Sequence, residues 1–287
     1  MRLARFRWIW IAVPVGAIAL LLLAPTLRHD RSTLPLERLR IGYAVEAPYA
    51  FLAEAGEPTG ESPALARLIA GRIGIRRIDW IQTSFDMLLT DLEMNRFDVV
   101  AAGMFVTPER VARVAFSQPT FHARQALLVR RGNPRNLHSY ADAAATAGVT
   151  IAVVAGSVEA GLLSGLGMAD ERLLQVPDAV TGKSAVATGL ADGLALSSPT
   201  VRWMAAQDRS GAIEVATPFR QSDSNANMRF GFGAFAFRPG DHALRNAWNA
   251  AMPDVVGSAE HLQAVAPFGF TRDEIEDLPT LEGLLQR

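Results

Sequence analysis

The segment from Ala101 to Pro119 constrains the fold more than any other part of the chain. An apolar run over residues 97–102 leads into Gly103, and Pro108 follows five residues later. This order predicts a buried strand, a tight turn and a short helix with Arg110 in its first turn. Arg110 would then lie beside the carboxyl end of a strand, which is where ligands of open α/β sheets gather.

Two interpretations of Arg110 remain open at this point. A guanidinium at a strand end presents a rigid fork of donors that matches a carboxylate, so Arg110 is a candidate ligand clamp. The simpler alternative is a surface arginine on an amphipathic helix. The spacing alone gives neither interpretation an advantage.

The rest of the chain alternates short apolar runs with amphipathic helical patterns, which is typical of α/β domains. Ser84 and Asp241 are the expected N-cap residues of two of the helices, and residues 221–227 form a polar loop. Strands are predicted at residues 39–45, 77–82, 97–102, 125–130, 150–155, 173–176 and 231–237. Helices are predicted at residues 62–72, 84–95, 140–147, 158–166 and 241–252.

The N-terminal sequence indicates in which cellular compartment the protein lies. Arg2, Arg5 and Arg7 precede an uncharged stretch over residues 8–27. A positive segment before an apolar one predicts export. The apolar stretch is also long enough to span a bilayer, and it shows no clear Ala-x-Ala cleavage site. Residues 1–35 are therefore a signal peptide or an inner-membrane anchor with a linker, and either places the remainder in the periplasm.

The composition excludes several classes of site. The chain has no cysteine, which rules out disulfides, zinc–thiolate sites and a cysteine nucleophile. Its five histidines are scattered without metal-ligand spacing, so we expect no metal and no other cofactor. Of 28 basic and 29 acidic residues, five arginines and one aspartate lie in residues 1–35. The remainder therefore has a net charge of −5 and no basic face for nucleic acid.

The pattern Gly-Met-x-x-Thr-Pro-Glu-Arg over residues 103–110, followed by Phe-Ser-x-Pro, resembles the signature of the extracellular solute-binding proteins of family 3. These proteins are receptors of ABC importers for amino acids and related compounds. Further blocks follow in the same order, so the resemblance covers about residues 38–275. Within the family, residues 46–49, 133–140 and 267–270 resemble the ectoine/hydroxyectoine receptors.

The resemblance implies an α/β, two-lobed periplasmic-binding-protein fold of type II, with a ligand cleft between the lobes. The first lobe would be discontinuous, formed by residues 36–129 and 230–287. The second lobe, residues 134–222, would be inserted through two hinge crossings near Val129 and Phe230.

The resemblance also implies the ligand contacts. Arg110 would hold the ligand's carboxylate, Glu46 would pair with a delocalised amidinium, and aromatic faces would cover that cation. The second lobe would contribute the start of a helix, whose backbone N–H groups suit an anion. The expected contacts are Glu46, Tyr49, Phe85, Gly103, Phe105, Val106 and Arg110 from the first lobe, and Gly156, Ser157 and Val158 from the second.

The residues alone leave these roles open. A lone loop glutamate such as Glu46 is more often solvated, and aromatic residues at such spacing are more often core than ligand wall. Phe105 fits a core role least well, because it lies between the glycine that ends a strand and the arginine. Ser157 is equally compatible with an ordinary N-cap.

One departure from the family bears on the ligand. Receptors for α-amino acids usually place an aspartate near the end of a second-lobe strand, and this chain has Ser197 or Ser198 there. The missing anion argues against an ordinary amino acid and agrees with an amidinium held by Glu46. Residues 178–185 also depart from the family pattern, which leaves the second-lobe contacts over residues 178–200 undefined.

We therefore expect a monomeric periplasmic receptor that delivers ectoine or hydroxyectoine, a small zwitterionic compatible solute, to an ABC permease by hinge closure. A receptor of the same family for a polar amino acid or a betaine is the first alternative. A membrane-tethered sensory module is the second. The third is a dehydratase-like enzyme on the same scaffold, in which Glu46 and Glu159 would face each other.

Overall fold

A computed structural model of the chain describes residues 37–221 and 231–286. The predicted N-terminal signal or anchor, nearly all of the predicted loop at 221–227 and the predicted crossing near Phe230 lie outside the described residues. Within the described ranges, no helix has the length and apolarity to cross a membrane.

The strands belong to two five-stranded sheets and two small pairs. Those that the structure describes are β1 (Arg38–Tyr43), β2 (Phe51–Leu52), β3 (Pro58–Thr59), β4 (Arg77–Gln82), β5 (Val99–Val100), β6 (Ala115–Phe116), β7 (Phe121–His122), β8 (Gln125–Arg130), β9 (Ile151–Val154), β10 (Leu173–Val176), β11 (Gly193–Ser197), β12 (Ile213–Val215), β13 (Phe232–Gly233) and β14 (Ala236–Phe237).

Helices flank both large sheets. Those in the described ranges are α1 (Glu61–Arg72), α2 (Leu88–Glu93), α3 (Pro108–Val111), α4 (Tyr140–Ala145), α5 (Val158–Gly165), α6 (Ala179–Thr188), α7 (Ser198–Ala206), α8 (His242–Val255), α9 (Ala259–Val265), α10 (Arg272–Ile275) and α11 (Leu281–Leu285). Two single-turn 3-10 helices cover Asp170–Arg172 and Ala266–Phe268.

The first sheet has the order β4-β1-β5-β14-β6. β1 pairs in parallel with β4 and β5, whereas β14 runs antiparallel to β5 and β6. One face packs against α1 and α8 around the fully buried Trp248, and the other face packs against α2. Because β14 comes from the C-terminal part of the chain, this unit is discontinuous in sequence.

The second sheet has the order β10-β9-β11-β8-β12. Its strand β8 pairs antiparallel with β11 and with β12, so residues 125–130 belong to this sheet. The expected first-lobe boundary at Val129 is therefore wrong. The chain leaves the first unit at Ala123 and Arg124, because the five apolar or buried residues of β8 need neighbouring strands on both sides.

Several predicted elements are shorter than expected. β4 and β10 have the predicted bounds, but the helix expected at 84–95 covers only Leu88–Glu93. Ser84 does not cap it, because the helix begins only at Leu88, with Met87 as its N-cap residue. The strand expected at 231–237 divides into β13 and β14, which pair with different partners.

Candidate functional site

Gly103 ends the strand segment of the first unit. Its φ of +63° is in the left-handed region, and its N–H donates to Ser62 Oγ at 3.0 Å. A Cβ atom here would lie 2.4 Å from the Tyr49 ring. Glycine is therefore required both by the backbone conformation and by the close approach of the tyrosine.

The chain after Gly103 is extended, so neighbouring side chains point to opposite sides. Phe105 lines the cavity between the two units, whereas Val106 is buried in the core of the first unit and donates its N–H to the Phe232 carbonyl. Val106, an expected ligand contact, is thus not brought into the cavity. Thr107 caps α3, since its hydroxyl accepts the Arg110 N–H at 3.3 Å.

The Arg110 side chain is buried and extends toward the second unit. Its Nη1 donates to the Phe105 carbonyl at 2.8 Å and its Nη2 to the Gly156 carbonyl at 2.9 Å. The guanidinium also lies 5.5 Å from the centre of the Phe85 ring. Burial lowers the pKa of Arg110 to about 10, with nearby acids opposing the effect, so the group is charged at neutral pH. The surface-arginine interpretation is excluded.

Glu46 lies on the loop after β1 and also reaches the second unit. Its Oε1 accepts a hydrogen bond from Thr200 Oγ1 at 2.9 Å. Burial is the main cause that raises the pKa of Glu46 to about 7, and the nearby Glu159 raises it further. Thr200 and Arg110 act in the opposite direction. Glu46 can therefore exchange a proton near neutral pH or pair with a cation.

The aromatic residues serve both as cavity wall and as core. Tyr49 lines the cavity and donates its hydroxyl to Ser197 Oγ at 3.1 Å. The Tyr49 ring packs 5.0 Å from Phe121 and 5.5 Å from Phe270, and Phe105 packs 6.1 Å from Phe121. Phe85, which is only partly buried, contacts the cores of both units. The distinction that the sequence suggested between wall and core does not hold for Tyr49 and Phe105.

The start of α5 differs from the expected anion site. Gly156 has a φ of +77°, and this turn lets the Ser157 N–H donate to the Val154 carbonyl at 3.0 Å. As a result, the Gly156 carbonyl accepts a hydrogen bond from Arg110, and the Ser157 N–H, which bonds to Val154, is not free to bind an anion. Ser157 and Val158 do line the cavity, as expected.

Glu159, the second residue of α5, is 3% exposed and lines the same cavity as Glu46 and Arg110. Burial raises the pKa of Glu159, whereas its own backbone N–H, Ser157 and Arg110 lower it. The sequence indicated Glu159 only as a possible partner of Glu46 in catalysis. Its role as a cavity residue has no local signature.

The two units are closed over this cavity. The hydrogen bonds from Thr200 to Glu46, from Tyr49 to Ser197 and from Arg110 to Gly156 join them directly. The cavity is about 20 Å³, which is room for about one water molecule. It is lined by Glu46, Tyr49, Phe85, Gly103, Phe105, Arg110, Ser157, Val158, Glu159, Leu196 and Ser197.

A larger cavity of about 470 Å³ lies on the other side of Arg110, between Asp86, Arg113 and Leu162. Phe85, Arg110 and Ser157 line both cavities and so separate them. Within the described residues, no group of three or more histidines or acids has the geometry to hold a metal ion. The chemistry of the small cavity is therefore that of acids, hydroxyls and aromatic faces around one guanidinium.

The comparisons with known proteins agree with this arrangement. The family model of the bacterial extracellular solute-binding proteins, family 3, matches residues 39–268. A probable amino-acid ABC transporter periplasmic-binding protein of Sinorhizobium fredii is 33% identical over 243 residues, which is 84% of this chain and 80% of the relative.

Two solved structures are also similar. EhuB in complex with hydroxyectoine is 29% identical and superposes with a TM-score of 0.73, covering 82% of this chain and 89% of the other. The holo structure of ArgBP from T. maritima is 25% identical with a TM-score of 0.66, covering 81% and 96% of the two chains. The two-lobed α/β fold predicted from the sequence is confirmed.

Proposed function

The chain belongs to family 3 of the bacterial extracellular solute-binding proteins and is the binding component of an amino-acid-type ABC importer, and we propose that its ligand is ectoine or hydroxyectoine. The observation that carries this proposal is the set of groups around the small cavity. Glu46 offers a carboxylate to a delocalised cation, and Tyr49, Phe85 and Phe105 offer aromatic faces. Arg110 supplies the opposite charge for a ligand carboxylate.

The likeness to EhuB supports the same assignment, since that structure holds hydroxyectoine. Aromatic faces attract a delocalised cation by roughly 0.5–2 kcal/mol each once water is excluded. The closed cavity is too small for such a ligand, so binding begins in an open form. The cross-lobe hydrogen bonds of Glu46, Tyr49 and Arg110 then rearrange around the ligand as the lobes close.

Arginine is the second candidate, and one observation favours it. The cavity holds two carboxyl groups, Glu46 and Glu159, against the single guanidinium of Arg110. This excess of acid suits a ligand with a net positive charge, and one of the similar structures is a mutant of ArgBP from T. maritima with arginine bound. The serine at position 197 favours ectoine instead, because it supplies no anion for an α-amino group.

We place the protein in the periplasm as a monomer that docks to an inner-membrane permease and performs no catalysis. The first test is thermal unfolding with ectoine, hydroxyectoine, arginine and glycine betaine. A true ligand at about 100 times its Kd should raise the Tm by about 5 °C. No shift with any of these compounds would overturn the ligand assignment. Consumption of a bound compound, followed by NMR, would establish an enzyme.

A further inference from the structure

Two helices of the molecule begin with the same three-residue pattern. It consists of a serine, then a small or branched apolar residue, then a glutamate. They are α5, with Ser157 and Glu159, and α9, with Ser258 and Glu260. At α9 the serine side chain accepts the His261 N–H at 3.1 Å, and Glu260 is exposed to solvent. At α5 the serine side chain accepts no such capping bond, and Glu159 is buried. The helix dipole stabilises a glutamate in the first turn of either helix, so it does not explain why Glu159 is buried and Glu260 is exposed.

Burying a carboxylate is costly unless a charge or a set of donors compensates it. Arg110 is the cation that faces Glu159, but it also faces Glu46 and Glu109 and donates both of its described hydrogen bonds to carbonyls. Tyr49, Tyr140 and Ser197 add no charge. Glu61, whose charge helps to raise the pKa of Tyr49, is a further acid near the cleft. The closed cleft therefore holds more carboxyl groups than cations to compensate them.

We propose that Glu159 is a specificity-determining residue that selects ligands with a net positive charge over neutral zwitterions. The proposal rests on the second candidate of the proposed function, a cationic ligand such as arginine in this cleft, and it opposes the first, because ectoine has no net charge. A ligand of net charge +1 compensates both carboxylates, whereas with ectoine, whose net charge is zero, one carboxyl group must take up a proton or remain uncompensated. The carboxylate of Glu159 also accepts its own backbone N–H at the start of α5, so it competes with a ligand carboxylate for that N–H.

The test measures the Kd values of the full chain for arginine and for ectoine by calorimetry at one pH and one salt concentration. We expect Glu159→Gln, which keeps the shape and removes the charge, to weaken arginine and to strengthen ectoine. The ratio of the two Kd values should change by at least about tenfold. A purely structural role would weaken both ligands together, so the opposite signs identify selection by charge.

Glu260→Gln is the matched control, because it removes the same charge from the same position of a similar helix outside the cleft. It should leave both Kd values within about twofold. Glu159→Asp should retain the wild-type preference, because the charge remains. The apo Tm of each variant verifies folding.

If Glu159→Gln folds and binds but the ratio does not change, the charge-selection proposal is wrong and the proposed function stands. If the wild-type protein binds none of the compounds used in the thermal-unfolding test, the proposed function and this inference are both wrong. A preference for ectoine that Glu159→Gln reduces would also overturn the proposal.

Discussion

The two walls of the cleft differ in how their residues are assembled. The first-lobe wall carries the guanidinium and the aromatic faces, from two short blocks at residues 46–49 and 103–110 together with Phe85. The second-lobe wall carries three hydroxyls and one acid. Ser157 and Glu159 come from the start of α5, Ser197 from the end of β11 and Thr200 from α7. The first wall is thus fixed by local sequence, and the second only by the way in which the lobes meet.

The division suggests that the first wall provides most of the affinity, and the second wall provides closure and selection. Arg110 illustrates the first role, since its side chain is anchored by the carbonyl of Phe105 in its own lobe. Ser197 and Thr200 illustrate the second, since their hydroxyls contact the first lobe in this closed form. The predictions below test this division, in order of decreasing expected effect.

The largest effect is expected at Arg110. Arg110→Ala leaves the ligand's carboxylate unpaired in a closed cleft, and loss of one partner of a buried charged pair costs about 3–5 kcal/mol. The Kd should rise by at least about a hundredfold. Arg110→Lys should also bind poorly, because a point charge cannot replace the planar fork.

Arg113→Ala is the control for Arg110, since Arg113 follows α3 and forms an exposed ion pair with Glu93. Its removal should change the Kd by less than about threefold. Calorimetry gives the ligand Kd of all three variants and so tests whether Arg110 binds the ligand, and the apo Tm checks their folding. Binding by Arg110→Ala within threefold of wild type would remove Arg110 from the first wall.

The second effect is a pH dependence that originates at Glu46. The pKa of this carboxyl is about 7 in the folded protein, mainly through burial, against an unperturbed value of 4.5. Between these pH values the folded state holds a proton that the unfolded state does not, so the free energy of unfolding falls as the pH rises. Glu46→Gln removes this contribution, which amounts to at most about 3 kcal/mol between pH 4 and 8.

Other groups also titrate in this range, so the difference between wild type and Glu46→Gln is the quantity to measure. Glu61, whose pKa burial raises to about 7, acts with the same sign as Glu46. His261, whose pKa burial lowers to about 4, acts with the opposite sign. Urea unfolding of the ligand-free protein at several pH values gives the difference. A variant with the same slope as wild type would show that Glu46 is not buried in solution.

Much of the first wall was predictable from the sequence, and the reasons are local. Gly103, Phe105 and Arg110 lie within one strand–turn–helix segment whose geometry follows from its glycine and proline. Tyr49 approaches that segment because Gly103 has no side chain. Val106, an expected contact, is buried in the core of the first unit instead, because alternation along an extended chain turns it away from its neighbour Phe105.

The second wall could not be predicted to the same extent. Thr200 and Glu159 are ordinary helical residues in sequence, and only the docking of the lobes gives them partners. An apolar run such as residues 125–130 indicates a strand but not the sheet that it joins, which explains the error in the lobe boundary. At Gly156–Val158 the sequence did not indicate that the glycine turn uses the Ser157 N–H within its own lobe.

A smaller effect should separate the aromatic wall from the core behind it. Phe105 lines the cavity, and Phe121 packs behind it without lining it. Phe105→Leu keeps most of the apolar volume but removes the π face, so the Kd should rise by about 3- to 30-fold, while the apo Tm falls less than in Phe121→Leu. Phe121→Leu should show the reverse, a lower apo Tm with nearly unchanged affinity. Equal behaviour of the two variants would mean that Phe105 acts only as core.

The smallest effect is expected for the hydrogen bond between Tyr49 and Ser197, which joins the two walls. Tyr49→Phe and Ser197→Ala each remove one hydroxyl, and the double variant removes both. If the bond stabilises the closed form, the double-mutant cycle on ligand Kd should give a coupling energy of about 0.5–1.5 kcal/mol. Ser197 also lies 3.1 Å from Thr200 Oγ1, so the same cycle between Tyr49→Phe and Thr200→Val measures how far the coupling extends. A coupling near zero for Tyr49 and Ser197, with normal folding of all variants, would show that this contact does not contribute to closure. The second wall would then act through Glu159 and Thr200 alone.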